Sequence, residues 1–512
     1  MRETTLERLE EIVDASGVAE SIEALLPVGS RPRQLHVRTL LVGMLLVARH
    51  GGPAHLVRVH GALSSLPVAD KWRLGVIVSW RSGEHELTYR QLEYTFALIV
   101  EALAKERVDG APSEALQAIT DALLEASVAV AGCPDSRSCA IDWTDLCAWS
   151  RPPHRDGRCA EKEAAWGHRT SNHPSQSETF FGYYLQAITM VREEQGPEVA
   201  ELVRRIHLAS PRHDPPAQIV AVLERMAAAG IALGDVLVDS GYAYREAQTF
   251  ALRVRALGAE LVMDLHPNDR GAKGTHQGAV IFNGNLYCPA TPKALLELSP
   301  LSARASSDEA EQHDRKCLEL HRYKLRALSA TDHDGYRRVA CPAVGGKLRC
   351  PLRPGSLALS HTRPTIANPP AAPPVCCTQQ TLSIPPEVAA KTRQKHDYPS
   401  KAHRRSYRRR SAAERANASV KDPASNDISR GFCRLMGLTA NALFIACVFA
   451  VRNLRTAEAF ACRQAEEERR AALGLARKRR KRRRRTIAYL LATANAPPTM
   501  SQGAIAPSQR AS

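Results

Sequence analysis

Aromatic residues are scarce in this 512-residue chain, at 5% of the total. The thirteen cysteines are odd in number and scattered, and no two have C-x-x-C spacing. That argues against a secreted disulfide scaffold and for a reducing cytosol. No G-x-x-x-x-G-K-[ST] or G-x-G-x-x-G falls in a strand–turn–helix context, which disfavours an ATP-driven motor or a dinucleotide enzyme. No stretch reads as membrane-spanning: 40–48 is short, and 438–451 contains Thr439 and Asn441 and stops at Arg452. The N-terminus, MRETTLERLEEIV, reads as an acidic amphipathic helix with Thr4 and Glu7 at capping-box spacing, not as a signal peptide.

Negative charge is also in short supply: 53 Asp and Glu face 70 Lys and Arg, a net charge of +17. This balance implies a polyanionic partner, most simply nucleic acid, with a membrane surface as the competitor. Nine of the positive charges lie in the run 477–485, RKRRKRRRR. We read it as a phosphate-binding arm that raises affinity without reading sequence, against a plainly solvated tail.

The apolar content of 44% is ordinary, and the length allows two to four domains. Residues 1–125 read as helical, with an apolar run at 36–50, a Gly51-Gly52-Pro53 break, a segment at 54–63 and a helix at 89–105. This is a candidate DNA-end-binding domain with helix-turn-helix spacing. An ordinary helical hairpin is the simpler reading, since no recognition-helix chemistry stands out. From 136 to 265 strands and helices alternate. Strands are expected at 138–142, 180–190, 235–239 and 260–265, and helices at 216–229 and 243–257. Residues 199–209 could be strand or helix. The fold class is therefore α/β, a mixed sheet flanked by helices.

Residues 266–395 break that rhythm with Pro/Gly-rich turns and a polar helix near 306–328, and read as an insertion. Within it Cys288, Cys341, Cys350 and the Cys376-Cys377 pair could form a structural zinc site. Without C-x-x-C spacing, buried or idle thiols are the simpler reading. Residues 396–460 return to a core pattern, with a basic helix at 400–422 and an apolar helix at 438–454. Residues 461–512 read as a basic helix and a tail without a packed core.

The chemistry concentrates in YRRRSAAERANASVK at 407–421. At about 100° per residue, Tyr407, Arg410, Glu414 and Lys421 fall within roughly a 60° arc of one helix face. Ser411 and Glu414 also have capping-box spacing, the bland alternative. Two upstream segments supply further carboxylates, AIDWTD at 140–145 and VLVDSGY at 236–242. Asp142 and Asp239 are expected at strand ends, where a rigid sheet fixes their separation, with Asp145 in reserve for Asp142. Metal-dependent phosphoryl transfer needs such a set, because carboxylates crowd together only around cations.

Together these segments resemble the DDE transposases of bacterial insertion sequences, in the group with a Y-x2-R-x3-E-x6-K signature. Tyr407, Arg410, Glu414 and Lys421 meet every spacing of it. IDWT and VLVDSGY resemble that family's two Asp-bearing strands, and FFGYYLQAITM and SPRHDPP resemble the strand and His-Asp turn between them. The resemblance covers about 136–265 and 395–455. It implies an RNase H-like fold, an insertion between the second Asp and the Glu, and two Mg²⁺ (or Mn²⁺) ions bound by Asp142, Asp239 and Glu414. It implies DNA-binding roles for Tyr407, Arg410 and Lys421. The implied partners are double-stranded DNA with terminal inverted repeats and target DNA, with a homodimer during the reaction, in the bacterial cytoplasm at the nucleoid. Trp143 beside the first acid departs from the pattern. The rivals are a catalytically inactive or repurposed DNA-binding protein and a nuclease that does not join strands.

Overall fold

In the computed structural model, residues 4–476 are described apart from 28–33, 81–82, 108–109, 154–156, 171–176, 303, 430 and 432. The run 477–485 and the tail beyond it lie outside the described residues. The chain divides into two units, Met1–Glu458 and Ala459–Ser512. The described part of the second is the end of a helix, in which Arg469 pairs with Glu466 at 2.8 Å.

The first unit begins with helices α1 (Thr5–Ser16), α2 (Val18–Leu25), α3 (Val37–His50), α4 (Leu56–Ser64) and α5 (Val68–Arg73). The Thr4/Glu7 capping box forms as expected. Helix α3 is apolar on most sides and is buried accordingly. It stops at Gly51, whose φ of 75° suits glycine, and where a Cβ would lie 2.4 Å from the Ser425 carbonyl. A hairpin of β1 (Ile77–Trp80) and β2 (Gly83–Glu86), not anticipated from sequence, precedes α6 (Tyr89–Leu103) and α7 (Glu114–Ala131).

The main sheet contains β3 (Cys139–Cys147), β4 (Ala165–Thr170), β5 (Ser177–Met190), β6 (Val203–Ala209), β7 (Asp235–Val238) and β8 (Glu260–Met263). Its order is β4-β5-β3-β7-β8, with β6 paired to β5. Strand β5 is antiparallel to β3, β4 and β6, whereas β7 is parallel to both β3 and β8. The parallel pairs need crossovers, and helices α8 (Pro215–Ala228), α9 (Ser240–Ala243) and α10 (Ala251–Ala256) lie in those connections. Ile219, Val222, Leu223 and Val254 bury one sheet face, packing with Ile141, Val236, Val238 and Leu261. This is the mixed α/β sheet with flanking helices that the pattern predicts.

Three expectations are corrected here and one open alternative is settled. Strand β3 runs on to Cys147 because β5 pairs with it along its length, so Asp142 lies within the strand, not at its end. Of the helix expected at 243–257, only α10 (Ala251–Ala256) forms, after turns that follow the short α9. Phe250, at φ −132°, leaves the helical region and inserts its ring into the core. Residues 199–209 resolve as strand from Val203. Residues 266–395 are not merely turns and one helix. They form two three-stranded antiparallel sheets, β9 (Ala272–His276), β10 (Ala279–Phe282) and β11 (Asn285–Tyr287), then β12 (Arg326–Ala327), β13 (Arg337–Ala340) and β14 (Leu382–Ile384). Such short strands give no readable alternation. Helices α11 (Lys293–Leu296), α12 (Ser307–Tyr323) and α13 (Val375–Thr378) lie among them.

The last elements are α14 (Lys401–Tyr407), α15 (Ser411–Val420) and α16 (Leu438–Ala472). The expected unbroken helix over 400–422 is interrupted by a 3₁₀ turn at Arg408–Arg410. Helix α16 extends well past the expected 438–454. By length and composition it could cross a membrane, but nearly all of its apolar window is buried inside the protein.

Asn453 on α16 is fully buried and behaves like a strand partner. Its Oδ1 accepts the Val203 N–H and its Nδ2 donates to the Val203 carbonyl, both at 2.8 Å, and Nδ2 also reaches Ser127 Oγ at 2.9 Å. Asn453→Ala strands these groups without water. We expect a loss of about 2–4 kcal/mol, read as a lowered denaturation midpoint in urea.

Candidate active site

The parallel pairing of β3 with β7 joins Cys139 to Val236 and Ala140 to Leu237. Carried two residues further, that register brings Asp142 beside Asp239, just past the end of β7. Adjacent parallel strands thus place the two carboxylates side by side, Asp142 within β3 and Asp239 just past the end of β7. Helix α15 lies across the same strands, close in because its inward residues are small. Ala412 and Ala413, both fully buried, pack with Ala140, Leu237 and Val262.

The 3₁₀ turn feeding α15 sets two adjacent arginines on the sheet. Arg409 is buried and donates from Nη2 to Asp235 Oδ2 at 2.7 Å, at the start of β7. Arg410 reaches the other end of the strand. Its Nη2 lies 3.2 Å from Asp142 Oδ1 and 3.4 Å from Asp239 Oδ2, and its Nη1 lies 2.5 Å from Glu414 Oε1. The three acids singled out from sequence therefore converge on one guanidinium.

Their surroundings differ. Asp239 spends Oδ1 on the amides of Gly241 and Tyr242, at 2.9 and 3.4 Å, capping α9. Its Oδ2 is left for the cluster. Asp142 is the most enclosed of the three, with 17% of its side chain exposed against 33% for Asp239 and 57% for Glu414. Burial pushes the Asp142 carboxyl up to about 6. Arg410 pulls the other way, but Asp239 and Glu414 add to the rise. Burial alone would lower Arg410, yet the Tyr407 phenol and the three carboxylates hold it above its ordinary value. The competing capping box does not form: Ser411 Oγ donates to the Arg408 carbonyl, and Glu414 accepts from Arg410.

The other sequence candidates are also placed. Tyr407 stacks on His403 at 5.6 Å between ring centroids, and burial raises its phenol above the ordinary range. Lys421 Nζ donates to Asp145 Oδ1 at 3.0 Å, so the reserve acid is engaged elsewhere on the same helix. Trp143 packs on Tyr242 at 4.5 Å and lies over Gly241, where a Cβ would sit 2.5 Å from the indole. That bulky residue thus buttresses the turn carrying Asp239.

Two residues escaped sequence reasoning. Asp235, buried between Lys395 Nζ at 2.7 Å and Arg409, fixes the approach of the 3₁₀ turn. Burial would raise it, but those two cations hold it below the usual carboxylate range. An acid opening the apolar run VLV was the available signal. Asn417, one turn after Glu414, donates from Nδ2 towards Asp142 Oδ2 at 3.4 Å. Its Oδ1 and Arg410 Nε are buried without hydrogen-bond partners. Among the described residues, no three His, Cys, Asp or Glu side chains stand grouped as a ready cation site. Arg410 lies among the acids instead.

Asp142 provides a test. Its carboxyl is raised on folding, so the stability tied to its proton is complete below about pH 4 and is lost as pH rises through about 6. Replacing it with Asn removes that loss. Asp142→Asn should therefore stabilise the chain by on the order of 2–3 kcal/mol at pH 7.5, an advantage that vanishes near pH 4. Denaturation midpoints at the two pH values measure it, and an equal effect at both would refute the raised carboxyl.

No protein-family model and no curated protein matches the chain.

Proposed function

We propose that this chain is a metal-dependent DDE transposase that cuts DNA at the ends of an insertion sequence and transfers the strands to target DNA. The observation that carries the reading is the convergence of Asp142, Asp239 and Glu414 on Arg410. An RNase H-like core is supported by the neighbouring strands β3 and β7 and by α15 lying beside them, with 266–395 as the insertion between the second and third acids.

The donor chemistry suits a hard divalent cation. Three carboxylates from three elements face one point, and the unpartnered Asn417 Oδ1 is close by. Asp142, Asp239 and Glu414 would hold two Mg²⁺ or Mn²⁺ ions once Arg410 turns outward. When bound, the ions supply Lewis-acid activation of water or a DNA 3′-hydroxyl and neutralise charge on the leaving oxygen. The residues do the rest. Asp239, tied by the α9 amides, fixes one donor, while Glu414, the most exposed acid, adjusts. Arg410 offers a bidentate fork to a phosphate and Lys421 a point charge. The Tyr407 phenol stays neutral and can donate to a phosphate oxygen.

A second reading has its own observation. Arg410 already satisfies the acids, as expected of a non-catalytic DNA-binding protein derived from such an enzyme. The two readings separate on one assay. Purified protein with Mg²⁺ or Mn²⁺ should nick DNA carrying the inverted repeats that flank its gene. Asp239→Ala or Glu414→Ala should lower nicking on the order of 10³-fold while binding persists. Salt-sensitive binding with no metal-dependent nicking by the wild type supports the second reading. Nicking undiminished in both variants overturns the site.

A further inference from the structure

Away from the acids, the 266–395 region holds a cluster that the proposed DNA chemistry does not use. Cys288, Cys341, Cys350 and Cys377 line one small cavity of about 10 Å³, with Leu348 and Ile366 among its apolar walls. All four are buried free thiols. They come from separate places: the end of β11, the end of β13, the loop after it, and α13.

Three of the four are built alike. Each of Cys288, Cys341 and Cys350 is followed by proline, and each opens a turn in which a later amide returns to the cysteine carbonyl. The bonds are Thr291 N–H to Cys288 at 3.0 Å, Gly345 to Cys341 at 2.9 Å and Arg353 to Cys350 at 2.9 Å. The Ala290 amide faces the Cys288 sulfur, and the amides of Ala343 and Val344 face that of Cys341. Burial raises both thiols above their ordinary range, and these amides pull in the opposite direction. The adjacent Cys376 and Cys377 thiols hydrogen-bond to each other, with Cys376 Sγ on the Gly278 side and Cys377 lining the cavity. Arg353 lines the same cavity, and its Nε is buried without a partner. It is a cation placed against what would be an anionic thiolate cluster.

We propose that Cys288, Cys341, Cys350 and Cys377 form a structural tetrathiolate zinc site that ties the two small sheets of 266–395 together. Four sulfurs from four segments supply the donor type and number of structural zinc, whose closed site leaves no position open for a reactive ligand. The need is physical as well. These sheets have strands of two to five residues over two small apolar clusters, so a metal cross-link between them would add restraint that their own packing supplies sparingly. No three of the sulfurs stand at ligating spacing among the described residues. Binding therefore turns the side chains inward on the cavity, with loss of the thiol protons.

The test uses the full chain, and its readout is metal, not DNA cutting. Elemental analysis of protein purified without chelator should find about one zinc per chain. Exchange for Co²⁺ should give the thiolate-to-cobalt charge-transfer band and the intense d–d bands of a tetrahedral sulfur site. Cys288→Ser and Cys350→Ser should lose those cobalt–sulfur bands, whereas Cys447→Ser, on α16, should keep them. Because a ligand variant could simply misfold, the wild type is also tested directly: chelator should release the zinc and lower the melting temperature, and added zinc should restore it. Absence of zinc with no cobalt–sulfur bands in the wild type overturns the site. So does iron with visible absorption, the sign of an iron–sulfur cluster, or bands unchanged in Cys350→Ser.

Discussion

Three carboxylates brought to one point must be met by positive charge, and in this structure Arg410 supplies it. Much of the surrounding fold is arranged to make that meeting happen. The parallel register of β3 and β7 brings two acids together, the alanines of α15 let the helix approach the sheet, and the 3₁₀ turn delivers the arginine. Parts of the contact are weak alone. Arg410 and Glu414 are an i,i+4 pair on a half-exposed helix, the kind worth only a few tenths of a kcal/mol. What removes it from the ordinary is the enclosure of Asp142, whose carboxyl remains raised despite the neighbouring guanidinium. Burial and two like charges outweigh one opposite charge.

The scaffold brings cation to acid at both ends of β7. Arg409 grips Asp235 at its start and Arg410 reaches Asp239 past its end. The two arginines are adjacent in sequence, so the first is an anchor for the second. Arg409 is the buried member, and breaking a buried pair leaves an uncompensated charge. Arg410 sits over the more open end, where 57% of Glu414 is exposed. A rigid anchor beside a displaceable partner is an arrangement that allows one guanidinium to leave without moving the helix.

Sequence alone was informative where side-chain types recur at fixed spacing. The three acids, Tyr407, Arg410 and Lys421 were singled out by their fixed spacing and strand context, and the long elements α3, α6, α8 and β5 were legible from their hydrophobic patterns. It failed where structure depends on partners distant in the chain. Strand β3 looked short because its extension past Asp142 is dictated by β5, not by its own residues. The sheets of 266–395 were invisible because their strands are shorter than one readable period. Asp235 was missed because its meaning lies in Lys395 and Arg409, far away in sequence. The four cysteines share a cavity through tertiary folding, so their spacing gave no motif.

The 266–395 region also bears on the acids through the chain that leaves it. Near its exit Gln394 Oε1 accepts the Met263 N–H at 2.9 Å, and Lys395 donates its own amide to the Leu261 carbonyl at 2.9 Å, both on β8. Helix α12 then holds the next stretch of chain. Asp314 pairs with Arg404 of α14 at 2.5 Å, and Asp397 is bound by Lys324 and by His321. Helix α14 is thus clamped between β8, where His403 meets the Met263 carbonyl at 3.0 Å, and α12. The 3₁₀ turn with Arg409 and Arg410 comes directly after it. A region that looks peripheral in sequence therefore sets where the third acid and its arginine arrive. Any restraint that stiffens it acts on the site through α14, without touching a carboxylate.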